Sequence, residues 1–146
     1  ALTGKVVKVA DGDSITVLAE GNKQIKVRLY GVDTPERKQP FGRKASELTK
    51  ELAALKKVEV RQMDIDRYGR TVGIVFLPNG TCLNEAILKG GMAWVYWKYC
   101  KDAICERWGE IEGKAKSAKI GLWRDPHSVP PWEWRRQKRG KSKRSP

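Results

Sequence analysis

L2-T-G-K-V-V-K-V-A-D-G-D-S-I-T-V-L-A-E-G-N-K-Q-I-K-V-R-L-Y30 is the stretch on which the fold turns. β-Branched residues alternate with charged ones in K-V-V-K-V and I-K-V-R-L, the period-two pattern of half-buried strands. Two tight links, D11-G-D13 and E20-G-N22, divide the stretch into strands over residues 2–10, 15–19 and 24–30. Asp, Asn and Gly suit such reversals, so the three strands read as a meander.

Beyond this meander the period changes. Ala45, Leu48, Leu52 and Leu55 recur at helical spacing, which predicts an amphipathic helix over residues 42–56. Two further strands are expected at 58–64 and 71–77, followed by the turn Pro78-Asn79-Gly80-Thr81 and a short helix over 83–89. Asp102 is a good N-cap for a longer helix that carries Ile104, Trp108, Ile111, Ala115 and Ala118 inward. Those apolar stripes are core rather than a cofactor box. The expected class is α+β with a mainly β core: a five-stranded, closed Greek-key barrel of the OB-fold type, with three helices.

The chain has 146 residues, enough for one domain with a real core. Residues 1–125 are expected to form that domain. Residues 126–146 differ: Pro130-Pro131-Trp132-Glu133-Trp134 is rigid and aromatic and should dock on the domain. The run R-R-Q-K-R-G-K-S-K-R-S-P over residues 135–146 is basic and without apolar periodicity, its last ten or so residues expected to be disordered. Thirty Lys and Arg against seventeen Asp and Glu give a net charge of +13, which calls for a polyanionic partner, nucleic acid before a membrane surface. No apolar run approaches the ~20 residues that span a bilayer, so membrane insertion is excluded.

The three cysteines, Cys82, Cys100 and Cys105, lack C-x-x-C spacing and have no histidine near enough to complete a zinc site. Cys100 precedes the cap Asp102 and Cys105 lies in the first turn that follows, so these two are expected to pair, with Cys82 a buried thiol. The alternative is three unpaired cysteines in a reducing cytosol. The sole histidine, His127, sits in a proline-rich loop, so general-base work falls to a carboxylate.

Three segments carry that chemistry: D11-G-D-S14, R28-L-Y-G-V-D-T-P-E36 and D66-R-Y-G-R70. Taken singly each has a bland reading, as a turn, a hairpin or a surface charge. Together they gather carboxylates and arginines that can bind a hard cation, activate a water and grip a phosphodiester. D-G-D-[ST], V-D-T-P-E and D-x-Y-G-R in that order resemble the thermonuclease, or staphylococcal (micrococcal) nuclease, family from about Val6 to Trp123.

That resemblance implies a calcium-dependent, sugar-non-specific phosphodiesterase cutting DNA and RNA to 3′-phosphate and 5′-hydroxyl ends. Asp13 and Asp33 are the candidate carboxylate ligands of Ca2+, with Thr34 offering a carbonyl beside them. Asp11 is expected to shape the turn. Glu36, aimed by Pro35, is the candidate general base. Arg28 and Arg70 are the candidate phosphate clamps that stabilise the extra charge of the transition state. Tyr68, Trp97 and Tyr99 are candidate base-stacking residues. If residues 94–99 are extended, Trp94 and Tyr96 face the core and Trp97 and Tyr99 the other side.

The pattern departs from the family in places. Ser14 stands where Thr is more usual, R37-K-Q-P-F-G-R43 is shorter than the prototype's mobile loop, and the cysteines and basic tail are additions. A monomer is expected. The first residue, Ala1, is what a mature exported chain would show, so a secreted or periplasmic location is expected. Two rival readings stand beside this one. The first is a non-catalytic OB-fold module that only binds nucleic acid. The second is a basic protein that holds anionic surfaces through its tail.

Overall fold

The computed structural model describes the backbone of residues 2–144 and the side chains of residues 2–139. Five strands close a barrel: β1 (Leu2–Asp11), β2 (Ser14–Ala19), β3 (Lys23–Leu29), β5 (Lys57–Ile65) and β6 (Thr71–Phe76), in the order β1-β2-β3-β6-β5. β1 is long enough to pair with β2 along its C-terminal part and with β5 through Leu2 to Lys5, which closes the cylinder. All pairings are antiparallel except β3 with β6, where Val27, Arg28 and Leu29 lie beside Thr71, Val72 and Gly73. This is the five-stranded barrel expected of the alternating sequence, with Val6, Val17, Val27, Leu29, Val58, Val60, Ile74 and Val75 all buried. A second, two-stranded sheet pairs β4 (Val32–Asp33) with β7 (Trp94–Val95), Asp33 facing Trp94.

Helix α1 (Gly42–Ala53) packs on β1, and α2 (Leu83–Lys89) and α3 (Ile104–Ser117) pack on each other. Asn84 of α2 stitches the halves together from within the core: its Oδ1 accepts the Val75 N–H and its Nδ2 donates to the Tyr30 carbonyl. Trp108 of α3 is fully buried and its indole N–H reaches Glu85 at 3.1 Å, so the ring costs no unpaired donor. α3 starts at Ile104 with Ala103, not the expected Asp102, at its N-cap; Asp102 stands one residue earlier, where its carboxylate accepts the Ile104 N–H at 3.0 Å.

Three details of the helices depart from expectation. α1 ends at Ala53; Leu55 lies outside it with φ +64° and is 68% exposed, because its N–H turns back to the Val6 carbonyl to start β5. The inner face of α1 is therefore Ala45, Ser46, Thr49 and Ala53, with Leu48 partly buried. Ala118 caps α3 and is exposed. A fourth α-helix, α4 (Pro131–Arg144), stands where the sequence suggested a docked segment and an unstructured tail, making four α-helices among the described residues instead of three. Pro131 is at its first position, where a missing N–H costs nothing, and Glu133 lies in the positive first turn with Arg136 paired one turn on at 2.8 Å. Residues 145 and 146, which the expected disorder also covered, lie outside the described residues.

Cys100 and Cys105 are disulfide-bonded, with Cα atoms 5.9 Å apart, and Cys82 is a buried free thiol. The bridge pins the segment before α3 against Gly31, whose φ of +71° and contact with the Cys100 sulfur leave no room for a side chain. No helix among the described residues is long and apolar enough to cross a membrane.

Candidate active site

Three neighbouring pieces of chain bring carboxylates to one end of the barrel. Asp13 lies in the β1–β2 turn, Asp33 on β4, and Glu36 just after Pro35. Arg28, near the end of β3, is their organiser. Its guanidinium lies 3.3 Å from Asp13 and 3.3 Å from Asp33, and it also donates to the carbonyls of Leu29 and Val32 at 3.0 and 2.8 Å. Two carbonyls and two carboxylates hold the guanidinium, so the side chain is fixed before any ligand arrives, while part of its five N–H donors is left over.

Asp13 is buried, and burial alone would push its carboxyl up. Arg28, the Thr34 N–H at 3.0 Å and the Ser14 hydroxyl at 3.0 Å outweigh that and hold it below the usual carboxylate range. Asp33 has no exposed surface, and here burial wins. Its pKa is pushed up to about 6, with Asp13 adding to the rise and Arg135 and Arg28 opposing it. Asp11, beside the pair, is likewise raised by its burial and by the charges of Asp13 and Glu36.

Backbone fit holds this arrangement. Thr49 of α1 donates its hydroxyl to the Gly12 carbonyl at 2.6 Å, tying the D-G-D turn to the helix. Gln39 accepts the Glu36 N–H at 3.1 Å and folds the loop after Glu36 into a compact turn. That turn brings the Glu36 carbonyl so close to Gly42 that a Cβ there would overlap it, so glycine is required where α1 starts.

D66-R-Y-G-R70 is the β5–β6 hairpin loop. Asp66 accepts the N–H groups of Tyr68 and Arg70 and pairs with the Arg70 guanidinium at 2.7 Å. Arg70 is thus held by its own loop and makes no described bond to Asp13, Asp33 or Glu36. Of the candidate stacking residues, Tyr68, Trp97 and Tyr99 are 71%, 52% and 56% exposed, with Arg67 and Arg70 over the Tyr68 ring, Tyr99 edge-on to Tyr96 at 4.8 Å and Trp97 against Gly109. Trp94 is buried as expected. The extended pattern stops at Val95: Tyr99 and Cys100 both return N–H groups to the Tyr96 carbonyl, so the chain turns and Tyr96 is only half-buried.

The residue that sequence reasoning missed is Arg135 of α4. Its guanidinium donates to Asp33 at 2.7 and 3.4 Å and to Glu36 at 2.7 Å, bridging the two carboxylates. Burial works against its charge, but the bonds to Asp33 and Glu36 raise its pKa above that of a free guanidinium. Trp132, one turn earlier, stacks on Tyr96 with ring centroids 5.0 Å apart and an interplanar angle of 17°. Nothing in R135-R-Q-K-R139 distinguishes one arginine from its neighbours, so no sequence signal could have selected this one.

Residues 26–125 match the protein family described as staphylococcal nuclease homologue. The chain belongs to the staphylococcal nuclease family. It is 41% identical over 135 residues to an "Uncharacterized endonuclease" of Escherichia coli O157:H7, covering 92% of this chain and 86% of the relative. It is 39% identical over 142 residues to a "Micrococcal nuclease" of Shigella flexneri, covering 91% and 80%. With the "Staphylococcal-like nuclease CAN1" of Arabidopsis thaliana it shares 39% identity over 118 residues, 81% of this chain and 35% of that longer protein.

The donor set can be tested against a hard cation. Among the described residues no group of three or more His, Cys, Asp or Glu side chains is placed to hold a metal ion. The convergent donors are all oxygens: two buried carboxylates, and the Thr34 hydroxyl, which is buried without a hydrogen-bond partner. An orphaned buried hydroxyl beside two carboxylates fits a cation that keeps waters in its shell, as calcium and magnesium do, and does not fit zinc.

Proposed function

We propose that this chain is a calcium-dependent, sugar-non-specific endonuclease that hydrolyses DNA and RNA to fragments with 3′-phosphate and 5′-hydroxyl ends. The observation that carries this reading is the convergence of Asp13, Asp33 and Glu36 around two guanidinium groups, with Arg28 already bridging Asp13 and Asp33. Asp13, Asp33 and Thr34 would hold the cation, which supplies charge neutralisation at the phosphate. Glu36 accepts a proton from the attacking water. It is 37% exposed at its side chain, open enough for a water to reach it.

Arg28 presents the remaining face of its fork to a phosphate oxygen and stabilises charge that grows in the transition state. Arg70 does the same from the β5–β6 loop, with Asp66 fixing its orientation until a phosphate competes for it. Arginine cannot serve as an acid because its pKa stays above about 12, so its role is electrostatic. Tyr68, Trp97 and Tyr99 offer exposed faces on which any base can stack, consistent with weak sequence preference. Export to a secreted or periplasmic location is supported by the Cys100–Cys105 bond, since such bridges persist in oxidising compartments. We expect a monomer.

Digestion of plasmid DNA and of RNA, with calcium, with chelator, and with calcium restored, followed by end-group analysis, tests the whole reading. Cleavage restored by calcium and ends carrying 3′-phosphate are expected. Cleavage insensitive to chelator, or 5′-phosphate ends, would refute it.

A further inference from the structure

Arg135 occupies ground that the proposed chemistry needs. With Arg28 in place, the carboxylates of Asp13, Asp33 and Glu36 leave two uncompensated negative charges, the complement of one divalent cation. Arg135 supplies one of those two positive charges and bonds both Asp33, a proposed ligand, and Glu36, the proposed base. A guanidinium there spends the lone pairs that a cation and an attacking water would use. A divalent cation at Asp33 would in turn repel it, because like charges at such distances in a partly buried site interact strongly.

The mounting of α4 suits a part that comes and goes. It meets the body through buried Pro131, through Trp132 on Tyr96 and edge-on to Trp94 at 6.5 Å, through half-buried Trp134 beside Pro40 and Phe41, and through Arg135 itself, which also lies 6.0 Å from the Tyr96 ring centre. Just ahead of the helix, Gln39 donates to the Val129 carbonyl. Arg136, Gln137, Lys138 and Arg139 are exposed. The helix therefore rests on the body by its first turn and a half alone, with Arg135 as its polar plug, on a chain segment that follows the whole barrel.

We propose that α4 is an internal plug in which Arg135 stands in for the divalent cation, so that cation binding and α4 docking exclude one another. The inference rests on the reading of Asp13 and Asp33 as cation ligands. The plugged form lowers the apparent cation affinity by the fraction of molecules that are open, and a cation that binds drives the helix off.

Calcium binding measured by calorimetry at pH 8 without substrate gives the first test. R135A should bind Ca2+ about tenfold or more tightly than the parent, as removal of a competing closed state requires. R136A, which removes an exposed arginine paired only with Glu133, should bind as the parent does. Hydrogen exchange at the amides of residues 135–139 gives the second test: saturating Ca2+ should speed it in the parent. Equal or weaker binding by R135A, or exchange in α4 that Ca2+ leaves unchanged or slows, overturns the plug. Those results would instead make Arg135 a resident of the loaded site, such as a phosphate ligand. Absence of Ca2+ binding in both proteins overturns the cation site itself, and the plug falls with it.

Discussion

Replacing Arg28 by Met keeps most of the side-chain volume and removes the charge shared by Asp13 and Asp33. Both carboxylates are buried, and Asp13 loses its only described guanidinium partner, whereas Asp33 keeps Arg135. Breaking one side of a buried ion pair costs about 3–5 kcal/mol. We therefore expect R28M to lose ~3–4 kcal/mol at pH 8, or about 10 °C in Tm for a chain of this size.

The pH dependence of that loss follows from its sign. Asp13, depressed in the folded state, contributes stability above the unfolded carboxylate pKa that is lost as pH falls through the folded value. Asp33, raised in the folded state, does the reverse: its ionisation costs stability as pH rises toward and past about 6. Without Arg28 both groups move upward, so the deficit is largest above pH 6 and shrinks as acid neutralises them. Urea unfolding of parent and variant at pH 5 and pH 8 measures it. A difference below about 0.5 kcal/mol at pH 8, the range of an ordinary surface change, would refute the reasoning. So would a deficit at pH 5 equal to that at pH 8.

Glu36→Gln should fold normally and lower turnover by roughly a hundredfold or more, with nucleotide affinity little changed; normal turnover removes Glu36 as the base. Gly42→Ala should lose about 1–3 kcal/mol by overpacking and lower activity as well, because the new methyl displaces the Glu36 carbonyl; thermal unfolding and cleavage rates are the readouts. Thiol titration of the denatured, unreduced chain should find one free thiol, Cys82. Reduction should cost at most ~2 kcal/mol, since the Cys100–Cys105 loop is short, and three free thiols would end the pairing.

The barrel was legible because its strands announce themselves by alternation and its turns by Asp-Gly and Gly-Asn. The carboxylate end was legible because its residues are concentrated in two short segments, 11–14 and 28–36. What failed to show were features decided by tertiary contact. Leu55 continues a helical stripe on paper, but the chain needs a left-handed residue there to send Lys57 back along β1. The W94-V-Y-W-K-Y99 run alternates like a strand, yet only Trp94 and Val95 have a partner strand, β4, and beyond it the chain turns. Arg135 is the sharpest case. Its role comes from a distance of about a hundred residues along the chain, closed by the stacking of Trp132 on Tyr96, and no local pattern encodes that.

The pairing of β4 with β7 has a consequence for biosynthesis. β4 holds Asp33 and has no strand neighbour except Trp94–Val95, and the Tyr30 hydroxyl waits for the N–H groups of Lys101 and Asp102. A ribosome adds roughly 5–20 residues per second, so the segment bearing Asp33 and Glu36 exists for seconds before its support has been made. During that interval the acidic cluster has neither its second sheet nor the bridge at Cys100 to hold it. Assembly of the acidic cluster therefore trails synthesis of its residues, and is complete only once the chain has been made past Asp102.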